Sequence, residues 1–306
     1  MRLYFFTFLL LCSRVASGQS LAELERQLDS LLQKQQKSEV VAGIGYGNNP
    51  AYGSKVANFE YPLVLKTFIA PSLSYYHKSG LYAGVSAYYL FNSVNKPWFE
   101  WDFTAGYDYT KNRNFLTGIS YTKYIFADSS DVPSTPIKNE IFAYFYYRKW
   151  WLQPGLSLDY GWGKHVSEGL YTKETLHGND FNVIASVRHP FIFSGVVGRF
   201  DVLMVTPSVN MTLGTANYYS NLKAFQYISR SPHMVKLRNP PGSAPGGELN
   251  FEDHTEFEPR AIDVSMNVSY FIGRINLAPS YTVFKPLTGT DQGIMSYFTA
   301  RILYSF

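Results

Sequence analysis

Residues 98–110 alternate apolar and polar side chains one for one, and that period constrains the chain more than any other feature. Phe99, Trp101, Phe103, Ala105, Tyr107 and Tyr109 fall on one side, while Glu100, Asp102, Thr104, Gly106, Asp108 and Thr110 fall on the other. A period of two is the mark of an extended strand with unlike surroundings on its two faces. Residues 150–163 repeat it, with Leu152, Leu156, Leu158, Tyr160 and Trp162 opposite Gln153, Gly155, Ser157, Asp159 and Gly161. So do residues 261–271, with Ile262, Val264, Met266, Val268 and Tyr270 opposite Asp263, Ser265, Asn267 and Ser269.

Alternation alone also fits a β-sandwich, so strand length and punctuation matter. The pattern predicts twelve strands, near 39–48, 63–76, 80–92, 98–110, 114–126, 137–148, 150–164, 181–193, 199–213, 259–272, 274–286 and 294–306. Most exceed ten residues, whereas globular strands run to about five or six and membrane-spanning ones need about 9–11. Tight connections at 77–80, 110–114, 148–149, 194–198 and 272–273 alternate with longer ones at 49–62, 93–97, 127–136, 165–180, 214–258 and 287–293. Short turns on one side and longer loops on the other are the asymmetry of an up-and-down membrane barrel, with both barrel termini on the short-turn, periplasmic side. Trp150 and Trp162 share a face and lie roughly 40 Å apart along an ideal strand at ~3.3 Å per residue, which places them in two interfacial girdles. Pro71, Pro190, Pro207 and Pro279 fall inside predicted strands, where each removes a ladder donor and calls for a bulge or a strand end.

The composition agrees. Aromatic residues make up 17% of the chain, with 25 Tyr and 23 Phe. The mean hydropathy of -0.14 excludes a helical membrane protein. Residues 1–18 read as a secretory signal peptide: Arg2, an apolar run from Leu3 to Leu11, and a small-residue cleavage site at Ala16-Ser17-Gly18. Cys12, the one cysteine, lacks the small residue that lipidation would need just before it and leaves with the signal. Of 27 Lys and Arg, Arg2 and Arg14 also leave, so 25 basic residues face 23 acidic ones. No basic block points to a nucleic-acid partner. Within residues 19–37, Ser20 and Glu23 form a capping box, and Leu21, Leu24, Leu28 and Leu31 make one apolar stripe, which predicts a short amphipathic helix on the periplasmic side of a barrel formed by 38–306.

The ending, with Ile302, Tyr304 and Phe306 on one side of the last strand, resembles the aromatic C-terminal signal of bacterial outer-membrane β-barrels. That resemblance implies an outer-membrane location, lipid contact, and recognition of Tyr304 and Phe306 by the membrane's assembly machinery. A second resemblance is local. His165-Val166-Ser167, with Asn179 twelve residues after the serine, is similar to the His-x-Ser…Asn arrangement of outer-membrane phospholipase A. It implies a lipid hydrolase with His165 as base, Ser167 as nucleophile and Asn179 orienting the histidine. Glu168-Gly169 stands where that family has Asn-Gly, and strand parity sends His165 and Ser167 toward the lumen rather than lipid.

If the apolar faces meet lipid, the lumen is lined by Glu100, Asp102, Asp108, Asp159, Asp263, Arg148, Arg188 and Arg301, together with Lys66 and Glu140. Porin-like barrels with such a lining pass small polar solutes, and a weakly cation-selective narrow pore is the first expectation. Twelve strands lie between side-chain-filled eight-stranded barrels and sixteen-stranded water channels, so a plug also fits. A non-enzymatic surface or structural barrel is the third reading, with loop 214–258 as its binding element. Glu252, Asp253, His254, Glu256 and Glu258 lack calcium-loop spacing and read as a solvated acidic stretch, so no metal or cofactor is expected.

Overall fold

The computed structural model describes residues 38–52, 63–91, 97–109, 111–112, 114–127, 137–168, 173–198, 201–215, 257–287 and 294–306. The predicted signal peptide, the 19–37 helix and the body of the 214–258 loop lie outside them. The described residues form thirteen strands: β1 (Glu39–Tyr52), β2 (Leu63–Tyr76), β3 (Leu81–Leu90), β4 (Trp98–Tyr109), β5 (Phe115–Phe126), β6 (Asn139–Tyr147), β7 (Gln153–Glu168), β8 (Lys173–Arg188), β9 (Phe191–Ser194), β10 (Val202–Gly214), β11 (Glu258–Ile272), β12 (Ile275–Pro286) and β13 (Met295–Ser305).

Each strand pairs antiparallel with its neighbour in sequence, except that β8 and β9 both pair with β10, and β1 pairs with β13 from Val41↔Ser305 to Gly47↔Thr299. The sheet therefore closes. β8 and β9 are two parts of one stave, because both pair with β10, Arg188 opposite Ser208 and Phe191 opposite Val205. The barrel thus has twelve staves, as the alternation predicts. Closure removes the sheet edges that hydrocarbon would leave unsatisfied, so this is a membrane-spanning design.

The four prolines explain where the ladders break. His189-Pro190 separates β8 from β9, opposite Pro207 of β10. Pro71 keeps its place opposite Ile44, but on its other side the β2–β3 ladder skips from Ile69↔Tyr89 to Ser72↔Ser86. Pro279 pairs with Ala300 while the β11–β12 ladder skips from Asn267↔Ser280 to Tyr270↔Leu277. Each ring faces one neighbour and removes a single donor, so the wall survives with local gaps.

Three expectations are corrected. The connection expected at 165–180 is largely strand: β7 runs to Glu168 and β8 starts at Lys173, in register from Gln153↔Arg188 to Glu168↔Lys173. The turn expected at 148–149 spans 148–152, so Trp150 lies in that turn and not on the strand that carries Trp162. The spacing of these two indoles along one strand therefore does not apply. Finally, Phe99 turns inward. The β3–β4 register shifts between Tyr88↔Glu100 and Tyr89↔Trp98, and this bulge buries Phe99 beside Glu100.

Elsewhere the faces divide as the period requires. Ile44, Leu73, Phe103, Ile119, Leu158, Val209, Val264 and Ile302 stand exposed on the outside of eight of the twelve staves. Val264 is 52% exposed, at mid-strand, which in water would forfeit most of the gain from burial. A belt of such residues around a closed wall is stable against lipid. The inner face departs from the expectation of purely polar lining. Phe68, Tyr88, Leu90 and Phe99 form a buried cluster on β2–β4, and Phe142, Tyr144 and Tyr146 form another on β6.

Space for these rings comes from cross-strand glycines. Tyr82 lies over Gly106, Tyr144 over Gly118 and Tyr146 over Gly155, and in each case a Cβ on the glycine would overlap the ring. At the short-turn end, Gly273 has φ 60°, the left-handed conformation that closes the two-residue turn between β11 and β12. The β9–β10 turn is held by Asp201. Its carboxylate accepts the N–H groups of Val196, Val197 and Gly198 at 2.8, 2.8 and 2.9 Å and the hydroxyl proton of Tyr270 on β11.

Candidate functional site

The inner wall of β4 to β8 gathers carboxylates. Glu100 and Asp102 project from β4, Glu140 from β6, Asp159 from β7 and Asp180 from β8, and all are buried. Register brings them together: Asp102 is opposite Tyr124, Thr122 opposite Glu140, Phe142 opposite Asp159, and Gly161 opposite both Glu140 and Asp180. Tyr124 lies within electrostatic reach of Glu140, Asp102, Glu100 and Asp159. Asp102 is in hydrogen-bond reach of Glu100 and Tyr88, and Tyr88 feels the charge of Arg301 on β13. One side of the lumen is thus acidic, with an arginine reaching toward it from β13.

The facing wall is mostly neutral. Asn210 donates to Asp263 at 2.6 Å, Ser265 donates to the same oxygen at 3.0 Å, and Thr282 lies 3.1 Å from Ser265. On both sides of the lumen, the buried hydroxyls of Ser157 and Ser186 on β7 and β8 and of Ser208 and Thr212 on β10, and the whole amide of Asn182 on β8, have no hydrogen-bond partner among the described residues. Groups so placed need water or solute to satisfy them. Arg260, which a bulge turns inward, donates to the Gly214 carbonyl at 2.7 Å and pairs with Glu258 at 2.7 Å, so its charge is committed.

The expected lining residues fall as follows. Glu100, Asp102, Asp159 and Asp263 are buried on the inner face, and Arg301 is half-buried there. Asp108 sits nearer the short-turn end and accepts the Tyr144 hydroxyl proton at 2.9 Å. Arg188 stacks on the Tyr146 ring at 3.7 Å, beneath the acidic sector. Arg148 lies just past β6, its N–H bonded to the Asn114 carbonyl at 2.8 Å. The side chain of Lys66 lies outside the described residues. Asp180, Asn182, Asn210 and Arg260 add to the expected lining; strand parity marks Asn182 and Asn210 directly and Asp180 once β8 is extended, while nothing in the sequence marks the bulge at Arg260.

The three residues that carry the phospholipase resemblance lie on β7 and β8. The register sets His165 opposite Leu176, Ser167 opposite Glu174 and Asn179 opposite Trp162. Asn179 is exposed on the outer wall; the side chains of His165 and Ser167 lie outside the described residues. Among the described residues no group of acids, histidines or cysteines has the arrangement of a metal site.

Geometry thus defines a class: a closed, twelve-stave transmembrane β-barrel with a charged inner wall. No protein-family model and no curated protein matches this chain in sequence. Among solved structures it is similar to the NanC porin, at 11% identity and a TM-score of 0.41, over 88% of this chain and 98% of that one. It is also similar to the translocator domain of autotransporter NalP from Neisseria meningitidis, at 10% identity and a TM-score of 0.44, over 93% and 96%. LpxR from Salmonella typhimurium follows at 8% identity and a TM-score of 0.38, over 87% and 100%. These likenesses are of general shape, and the class rests on the closed register and the apolar exterior.

Proposed function

We propose that the protein is a bacterial outer-membrane barrel whose lumen is a narrow passive pore for small polar solutes, with a preference for cations. The apolar exterior, the closed wall and the secretory character of residues 1–18 support the location. One observation carries the selectivity: among the described inward residues, Glu100, Asp102, Asp108, Glu140, Asp159, Asp180 and Asp263 stand against Lys138, Arg188, Arg260 and Arg301, with Arg148 just past the end of β6. Arg260 is already committed to Glu258, which leaves the acidic sector in excess. Walls of one charge sign concentrate counter-ions in a confined path. Near-complete burial of six of these seven acids, all but the half-buried Asp108, makes that path narrow, so the expected unit conductance is small.

Reconstitution in a planar bilayer tests it. Under a salt gradient the reversal potential should have the sign of cation preference, and Asp102→Asn with Glu140→Gln should move it toward zero. Anion preference, or no conductance from barrel that is folded by gel mobility, would overturn the pore.

A further inference from the structure

The outer wall of β5 to β8 carries a feature that the lumen does not explain. Reading cross-strand rows toward the loop end, the outward residues are Ile119–Ala143–Leu158–Val183, then Tyr121–Ile141–Tyr160–Phe181, then Lys123–Asn139–Trp162–Asn179. The surface passes from aliphatic to aromatic to polar within two steps, each ~7 Å along the strand. This is the sequence of chemistries met on leaving a bilayer: hydrocarbon, interface, headgroup. Lys164, one outward step beyond Trp162, is also exposed.

The polar row is built, not incidental. The Tyr121 hydroxyl and the Lys123 ammonium both donate to Asn139 Oδ1, at 2.8 and 3.0 Å, and Asn139 Nδ2 donates to the Trp162 carbonyl at 3.3 Å. Trp162 is flanked by Tyr160 and Tyr121, with ring centres 5.6 and 6.2 Å away. The Asn139 carbonyl oxygen is therefore used twice, and what the two lysines have left to offer is donors. An ammonium has three, and Lys123 commits one. Neither Lys123 nor Lys164 meets a carboxylate among the described residues. They stand two strands and one outward step apart, roughly 12 Å between Cα atoms, within reach of one ligand for two long side chains.

We propose that this patch binds the phosphate-bearing headgroup of an anionic lipid in the leaflet at the loop end, with Lys123 and Lys164 as charge partners and Trp162 as the platform against the acyl–headgroup boundary. The surface is continuous with the lipid-facing belt, so a lipid already lies where it is needed. The exposed amide of Asn179 adds a neutral hydrogen-bonding group on the far side of Trp162. The inference needs the membrane-spanning barrel but not a conducting lumen, so a failed conductance experiment leaves it standing, and the reverse.

Native mass spectrometry of the full-length barrel, released from micelles holding equal phosphatidylglycerol and phosphatidylcholine, reads the preference directly. The wild type should retain phosphatidylglycerol several-fold over phosphatidylcholine. Lys123→Gln with Lys164→Gln should bring the two near parity, and Lys123→Arg with Lys164→Arg should keep the preference. Gel mobility before boiling checks that each variant is folded; if the glutamine pair is not, Lys164→Gln alone, at a residue whose side chain makes no hydrogen bond among the described residues, should still halve the preference or more. No preference in the wild type, an unchanged preference in folded lysine variants, or a dimer that buries the patch and excludes lipid would each overturn the proposal.

Discussion

Replacing Val264 by arginine tests the face assignment on which everything else depends. Val264 sits at the middle of β11, between Val209 of β10 and Val283 of β12, with Ile262 and Met266 above and below it on the same outward face. A guanidinium there enters hydrocarbon, at a cost of about 2–4 kcal/mol near the midplane. At 1.4 kcal/mol per decade, that lowers the folding equilibrium constant by roughly 30- to 1,000-fold. Asn267, three residues on, takes the opposite parity, lines up with Thr206 and Ser280, and faces inward. Arginine at 267 meets the lumen and should cost under about 1 kcal/mol, because inward positions of membrane barrels tune selectivity more than stability. Denaturant titration of folding into phosphatidylcholine vesicles, read by gel mobility before boiling, gives both numbers on one scale. Equal tolerance, or a larger penalty for Asn267→Arg, would refute the assignment of lipid to the Val264 face.

The β9–β10 turn predicts a pH dependence. The Tyr270 hydroxyl, followed by the N–H groups of Gly198, Val197 and Val196, holds the Asp201 carboxyl down at about 2. A depressed acid contributes its full stability above the ordinary carboxylate value of about 3.9 and loses it as pH falls through 2. The wild type should therefore weaken between about pH 4 and pH 2, and Asp201→Asn should flatten that slope; an unchanged slope would remove Asp201 from the account. Gly155→Ala drives a methyl into the Tyr146 ring, which carries Arg188 on its face, so it should cost about 1–3 kcal/mol, the usual penalty for overpacking. The same vesicle titration would show it, and a neutral result would mean that the ring moves freely.

Much of this architecture was legible because a period of two has only two phases. Once Asp159 is inward, Gly155 and Ser157 follow and Leu156, Leu158 and Tyr160 must face out; the same logic sorts β11 from Ile262 to Met266. What escaped was whatever breaks the phase. The bulge opposite Tyr88 and Tyr89 turns Phe99 inward, and the one near Leu213 does the same for Arg260, because an extra residue resets parity without any mark in composition. The aromatic filling of the lumen escaped for another reason. Tyr88, Tyr124 and Tyr146 are as apolar as their outward counterparts, and only the cross-strand glycines, visible in register and not in sequence, show that there is room for rings such as Tyr146 inside. The prolines were readable as interruptions, but which neighbour each one releases depends on the register.

The acidic inner face and the lysine-bearing outer face occupy the same staves, and this joins the two proposals physically. Glu140 and Asp102 point inward from β6 and β4, while Lys123 points outward from β5, between them. Opposite charges across one sheet, about 10 Å apart at an effective dielectric near 20, attract by roughly 1.7 kcal/mol. That is enough for each face to ease the cost of the other. An acidic lumen wall lowers the penalty for a lysine near lipid, and the lysine lowers the mutual repulsion of the acids behind it. The sector is thus polarised across its thickness, positive toward the outer, lipid-facing side and negative toward the lumen, and neither face would be as stable on a neutral wall.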